Sequence, residues 1–242
     1  MSTSRPTERT ITFPFGADLG HERIVYGPDV VDESELRLLG DLNGKRILQL
    51  GTHEGHTSIA LHQRGARVIA VEPDPERIRA SRWAFEQTDT RIELLEHDLA
   101  DLATVRADSI DLAISIYSLA GIDDLSRVFR QVHRVLRPDA PFVFSLPHPA
   151  YSMIDPSGDE PLCVRRAYWD TTPRRWERGG HSGEDHTHTI GQLFVDLART
   201  NFRVDALHEP EPAAQGVRSP LWNDTMRWVP STLVIRARKQ GL

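Results

Sequence analysis

The chain is poor in several things, and each shortage excludes a class of protein. It has one cysteine, Cys163, in 242 residues. That forbids an intramolecular disulfide and any multi-cysteine zinc or iron–sulfur site. A disulfide-dense secreted scaffold is therefore ruled out. Long apolar runs are also missing. The longest uncharged stretch, Ala140 to Ile154, holds three prolines and falls short of the ~18–20 residues that span a bilayer. The opening MSTSRPTERTITFPFG has no apolar core of the kind a signal peptide needs. Excess positive charge is absent too: Lys+Arg 29 against Asp+Glu 35 leaves a net charge of −6. A chain that grips nucleic acid by its overall charge is disfavoured. These readings predict a cytoplasmic protein, with no membrane partner and no nucleic-acid partner, and with residues 1–22 as a flexible N-terminal arm.

What remains is a soluble-type composition, 39% hydrophobic and 26% charged. The first half alternates strand-like and helix-like pieces. Arg46–Leu50, Arg67–Val71, Ile92–Glu96, Asp111–Tyr117 and Phe142–Phe144 read as strands. Residues 57–64 and 75–87 read as helices, the second opening on Pro75, a favoured first helical residue. The clearest helix spans 123–137. Leu125, Val128, Phe129, Val132, Val135 and Leu136 recur at helical spacing, aspartates open it, and Pro138 stops it. Such alternation implies a parallel sheet with helices on both faces. Ligands on such sheets bind at the carboxyl ends of the strands, where strand order reverses.

The alternation breaks over 147–186, which holds five of the sixteen prolines. The stretch is too long for an ordinary connection and reads as an inserted lid over the site. A helix returns at about 188–200, and Phe202–Leu207 and Ser231–Ala237 complete seven strands. The expectation is one domain over 23–242, an α/β doubly wound, mostly parallel sheet with 147–186 as its insertion.

Chemistry is expected where the first strand runs into Gly51-Thr52-His53-Glu54-Gly55. Glycines there allow a tight turn and close approach of a ligand to backbone amides. The next strand ends in Glu72, 72 − 51 = 21 residues on. A carboxylate at that place can accept from both hydroxyls of a ribose. A tight turn beside a surface acid would leave the same trace. A dinucleotide is disfavoured, because His53 and His56 stand where G-x-G-x-x-G needs bare backbone.

ILQLGTHEGHTSIALHQRGARVIAVEPDPERI resembles the nucleotide-binding core of class I S-adenosylmethionine (SAM)-dependent methyltransferases. EHDLADL is similar to the family's third-strand motif. SIDLAISIYSLAGIDDLSRVFRQVHRVLRPDAPFVFSLPHP resembles its fourth strand, long helix and fifth strand, and FRVDALHEPEP and TLVIRARK resemble its last two. The nearest group is the small-molecule, type-11-like domain. The resemblance implies a Rossmann-like methyltransferase fold with the last strand antiparallel, SAM as methyl donor, and transfer to an oxygen or nitrogen of a small molecule. It implies that Gln49, Gly51, Thr52, His53 and Gly55 line the methionine and ribose part, and that Glu72 binds the ribose. Pro73, Asp98 and Leu99 would frame the adenine. Ser115 and Ile116 would lie under the sulfonium.

Gln49 stands where the family has an acid, and His53 where it has a glycine. A non-catalytic SAM- or nucleotide-binding module is the alternative these departures raise. His148 and Tyr117 are the expected catalytic residues, with a loop histidine and a core aromatic as the plainer alternatives. Tyr26 is expected either to close over SAM or to pin the N-terminal arm by packing. His181, Glu184, Asp185, His186 and His188 form a ligand-type cluster with poor metal spacing, so no metal site is expected. The expected partner is a small-molecule substrate, and the sequence leaves a homodimer open.

Overall fold

The structure, a computed structural model, describes residues 22–154, 162–178, 181–214, 216 and 218–241. The arm expected over 1–22 lies outside these residues save Glu22. The elements run, in chain order, as α1 (Glu33–Leu36), β1 (Arg46–Leu50), α2 (His56–Gln63), β2 (Arg67–Val71), α3 (Pro75–Gln87), β3 (Glu93–Leu95) and β4 (Leu112–Ile116). A short 3-10 turn (Ser118–Gly121) leads to α4 (Leu125–Val135) and β5 (Pro141–Pro147). Then come β6 (Arg174–Arg178), β7 (His181–Asp185), α5 (Ile190–Arg199), β8 (Phe202–His208) and β9 (Thr232–Lys239).

Seven strands form one sheet in the order β3-β2-β1-β4-β5-β9-β8. Strands β1 to β5 pair in parallel, and β9 runs antiparallel to both neighbours. The central strands are apolar on both faces because both faces are covered. On one face Leu48, Leu50, Ile69 and Phe144 pack against Val128, Phe129 and Val132 of α4 and Leu193 and Leu197 of α5. On the other, Ile47, Ala70, Leu112 and Ile114 pack against Ala60 and Leu61 of α2 and against Ile24 and Tyr26.

Helix starts follow local chemistry. Asp74, Asp124 and Thr189 each accept a backbone N–H from the first turn of α3, α4 and α5. Helix α2 has no side-chain cap: it starts at Gly55, whose φ of 90° suits glycine alone. Chain order reverses between β1, which continues outward to β2 and β3, and β4, which continues to β5. The carboxyl ends of those two strands bound the crevice where such sheets take ligands.

At the start of the stretch expected as an insertion, β5 continues through Pro147. Strand pairing with β9, Pro147 against Thr232, tolerates a proline at the strand's end. The segment also carries its own two-stranded antiparallel ribbon, β6 with β7. After β7, the His186 N–H donates to the Ala120 carbonyl and the His188 ring reaches the Ile122 carbonyl. The ribbon is thereby clasped to the turn that follows β4. Among the described residues no group of three or more side chains is arranged to hold a metal ion, and no helix is long and apolar enough to cross a membrane.

Candidate functional site at the reversal of strand order

The turn after β1 is built around Glu72, which directly follows β2 and is 1% exposed. Its Oε2 accepts the Thr52 N–H (2.8 Å) and the Thr52 hydroxyl (3.3 Å), and its Oε1 accepts the Asp74 N–H (3.1 Å). Ser81 of α3 donates in turn to the Thr52 hydroxyl at 2.9 Å. A buried carboxylate needs such partners. Those bonds fill Oε2, while Oε1 keeps a lone pair for a further donor. The fit to a ribose diol is chemical: an acceptor fixed by backbone amides at the end of β2.

Gly51 lies at φ 79°, and a Cβ there would come within 1.9 Å of Ser118 Oγ. Only glycine lets the two strand ends close this tightly. Pro73, Asp98 and Leu99, the residues expected at the adenine, follow β2 and β3. Pro73 and Asp98 are exposed at the ends of β2 and β3, Asp98 accepts the Ala100 N–H at 2.7 Å, and Leu99 is buried.

His53 sits between the two halves of the crevice. Its φ of 52° is left-handed, an unfavourable region for a non-glycine residue. Its Nε2 lies 2.8 Å from the Ile116 carbonyl and 3.1 Å from Ser118 Oγ. Since a carbonyl only accepts, Nε2 carries the proton and donates. Burial, the nearby Arg77 guanidinium and the Ile116 bond together set the ring's pKa at about 4, burial lowering it most. At neutral pH the neutral ring therefore bridges β1 to β4. A ligand reaching from Glu72 to Ile116 requires that ring to turn out.

Several expected contacts are engaged elsewhere. Gln49, 2% exposed, accepts from Ser58 Oγ (2.7 Å) and donates to the Gly51 carbonyl (2.9 Å). It locks the turn onto α2 rather than presenting its amide to a ligand. Ser115 is fully buried and donates to the Leu50 carbonyl at 2.8 Å, tying β4 to β1. Tyr26 is fully buried and donates to Glu33 Oε2 at 2.6 Å. Burial and the Glu33 charge raise its pKa, so it stays a donor. It pins the N-terminal segment by packing, the plainer of its two expected roles.

The two expected catalytic residues lie on the far side of β4. Tyr117, at φ 57°, points its hydroxyl to Thr232 Oγ1 (2.7 Å) and the Ser231 carbonyl (3.3 Å). His148 is 4% exposed. Its Nδ1 accepts the Ala150 N–H at 3.1 Å, so Nε2 bears the proton and donates to Glu209 Oε1 at 2.8 Å. Burial lowers its pKa against the opposing pull of Glu209. Both ring nitrogens are engaged, so accepting a substrate proton would first break the Ala150 bond.

Three participants have no motif to mark them: Ser118, Ser81 and Glu209. Ser118 alone had a local signal, as the residue that leaves a strand expected to end at the cleft. The other two come from elements distant in sequence.

Residues 48–144 match the family model described as a methyltransferase domain. A ubiquinone biosynthesis O-methyltransferase of Xanthomonas oryzae pv. oryzae is 26% identical over 98 residues, 40% of this chain and 41% of that protein. A ribosomal RNA small subunit methyltransferase A of Anaeromyxobacter sp. is 32% identical over 120 residues, 50% of this chain and 39% of its own. The chain thus spans about two fifths of the length of these curated relatives. Among solved structures, a SAM-dependent methyltransferase of Mesorhizobium loti is 25% identical with a TM-score of 0.64, covering 84% of this chain and 95% of that one. A protein of Listeria monocytogenes shares the fold at 22% identity and a TM-score of 0.70, covering 85% and 95%. The sheet order and the match over 48–144 give this chain the fold of the class I SAM-dependent methyltransferases, with residues 48–144 similar to their methyltransferase domain.

Proposed function

We propose that the chain transfers the methyl group of SAM to an oxygen or nitrogen atom of a small-molecule acceptor. The observation that carries this is the convergence, at the reversal of strand order, of the Gly51–Gly55 turn with a buried Glu72 whose oxygens hold that turn. SAM supplies an electrophilic methyl on a sulfonium. Glu72 would accept from the ribose hydroxyls, Pro73 would pack on the adenine, and Asp98 with the Leu99 amide would read its edge. The Gly51–Gly55 turn would take the methionine part once His53 has turned out.

Orientation and exclusion of water are the main catalytic contributions. Holding two reactants in near-attack geometry supplies roughly 7–11 kcal/mol of a barrier. His148, with both nitrogens bound, serves this reading as a positioning residue that fixes the end of β5. Tyr117, directly after β4, with the Thr232 hydroxyl it bonds, would be the polar contact for the acceptor. The net charge of −6 supports a small acceptor over a polynucleotide.

A second reading rests on His53 itself. Its bonds to Ile116 and Ser118 would suit a module that has lost turnover. The test is release of S-adenosylhomocysteine from SAM in the presence of phenols, alcohols and amines. Acceptor-dependent release supports methyl transfer. Binding of S-adenosylhomocysteine with no release on any acceptor supports the module.

A further inference from the structure

A second site, independent of the crevice, lies at the opposite end of the sheet. A cavity of about 630 Å³ opens at the amino ends of β1, β2 and β4, within the ~300–1,000 Å³ range of small-molecule sites. Four arginines line it, Arg46, Arg67, Arg106 and Arg137, against Asp108 and Asp111. Asp111 is committed to Arg137 and to the Arg46 N–H. Asp108 is committed to Lys239 at 2.6 Å. Arg46, Arg67 and Arg106 are left without a carboxylate within 4 Å among the described residues.

The placement of those three is costly unless something compensates it. Arg46 and Arg67 are register partners on adjacent strands, and like charges directly opposite one another repel. Most of the surrounding backbone donors are already used. The Arg67 N–H goes to the Lys45 carbonyl, that of Gly44 to Gly65, and that of Ser109 to Val135. Binding there must therefore come from the guanidinium forks, which suit phosphate oxygens in bidentate fashion. The arginines come from four separate segments and ring a cavity rather than forming a stripe. That shape fits a compact polyanion better than an extended strand.

We propose that this cavity, ringed by Arg46, Arg67 and Arg106 at the amino ends of β1, β2 and the loop before β4, binds a small molecule bearing a polyphosphate group.

Calorimetry on the full chain at low ionic strength tests it, with tripolyphosphate, inorganic phosphate, citrate and a short RNA duplex as probes. Tripolyphosphate is expected to bind saturably at one site, more tightly than phosphate or citrate. The Arg46→Gln/Arg106→Gln double variant should weaken it at least tenfold, since a hydrogen bond to a charged group is worth about a factor of ten or more. Saturating S-adenosylhomocysteine should leave this binding unchanged, which separates the site from the crevice. If the double variant does not fold, Arg106→Gln alone, in an exposed loop, carries the same expectation on a smaller scale. No saturable binding, equal binding of citrate, unchanged affinity in the variants, or a stronger grip on the RNA duplex would each overturn the proposal.

Discussion

Replacing His53 with glycine separates the two things this residue does. The ring holds β1 to β4 through one N–H shared between the Ile116 carbonyl at 2.8 Å and Ser118 Oγ at 3.1 Å. Losing such a shared bond costs about 1–2 kcal/mol. The flexible glycine adds about 0.5–1 kcal/mol through the unfolded chain. Against this, a non-glycine residue at φ 52° carries about 1–2 kcal/mol of left-handed strain that glycine removes. The effects nearly cancel, so His53→Gly should change stability by no more than about 1 kcal/mol, or roughly 2–4 °C in Tm for a chain this size. Binding in the crevice behaves differently, because wild type must first spend the ring's 1–2 kcal/mol to open. Removing that cost should tighten S-adenosylhomocysteine about 5–30-fold. The closed ring, with its pKa of about 4, is neutral at pH 6 and above, whereas a ring turned out to solvent recovers an ordinary histidine pKa near 6.5 and gains a proton as pH falls. Opening is then easier at low pH, so the factor should be a few-fold smaller at pH 6 than at pH 8. Calorimetry at both pH values, with a thermal melt of each protein, is the assay. An affinity that is unchanged or weaker in a folded His53→Gly protein would refute the idea that the ring closes the crevice.

Gly51→Ala should destabilise by about 2–4 kcal/mol through overpacking and left-handed strain, because the new methyl meets Ser118 Oγ at 1.9 Å. Adding Ser118→Gly should recover part of that loss, and additivity in a urea double-mutant cycle would argue against the contact. Tyr26→Phe removes one of two donors to the buried Glu33 Oε2, which keeps the Leu38 N–H at 3.0 Å, and should cost about 1–2 kcal/mol. It should leave S-adenosylhomocysteine affinity within about twofold, and a larger drop would return Tyr26 to the site. For pH, His53, His148 and His188 all have lowered pKa values in the fold, chiefly through burial. The unfolded chain then binds protons that the fold does not, so their stability is fully present above about pH 6.5 and is lost as pH falls toward the folded values. The His53 shift, from 6.5 to about 4, would alone give about 3 kcal/mol if fully buried; its partial exposure reduces that to about 1–2. Asp32 and Asp205 are also lowered but titrate below 3.8. A falling urea midpoint between pH 7 and pH 5, shallower in His53→Gly, is expected, and a flat profile would contradict it.

Most of the fold was legible because its signals are local. The β-branched run at Arg67–Val71, the Pro75 start and the helical spacing from Leu125 to Leu136 each mark an element that the structure contains. The β6–β7 ribbon was not legible. Its strands, RRWER and HSGED, are almost wholly polar with no apolar alternation, and the bonds that clasp the chain after β7 go to Ala120 and Ile122, distant in sequence. At the site, backbone-dictated residues such as Gly51 and Gly55 could be placed from sequence, since positive φ restricts the choice of residue. Side chains whose roles depend on distant partners could not. Gln49 looks like a ligand contact until Ser58 is seen to hold it. His148 looks like a base until Ala150 and Glu209 occupy its nitrogens.

We propose that SAM is held at the reversal of strand order with Glu72 on its ribose. Calorimetry of S-adenosylhomocysteine with wild type and Glu72→Gln tests it most directly. Wild type should bind saturably, and Glu72→Gln, folded by its far-ultraviolet spectrum, should bind at least about tenfold more weakly, because it loses a charged acceptor. No binding to wild type, or equal affinity in the two proteins, would contradict the account.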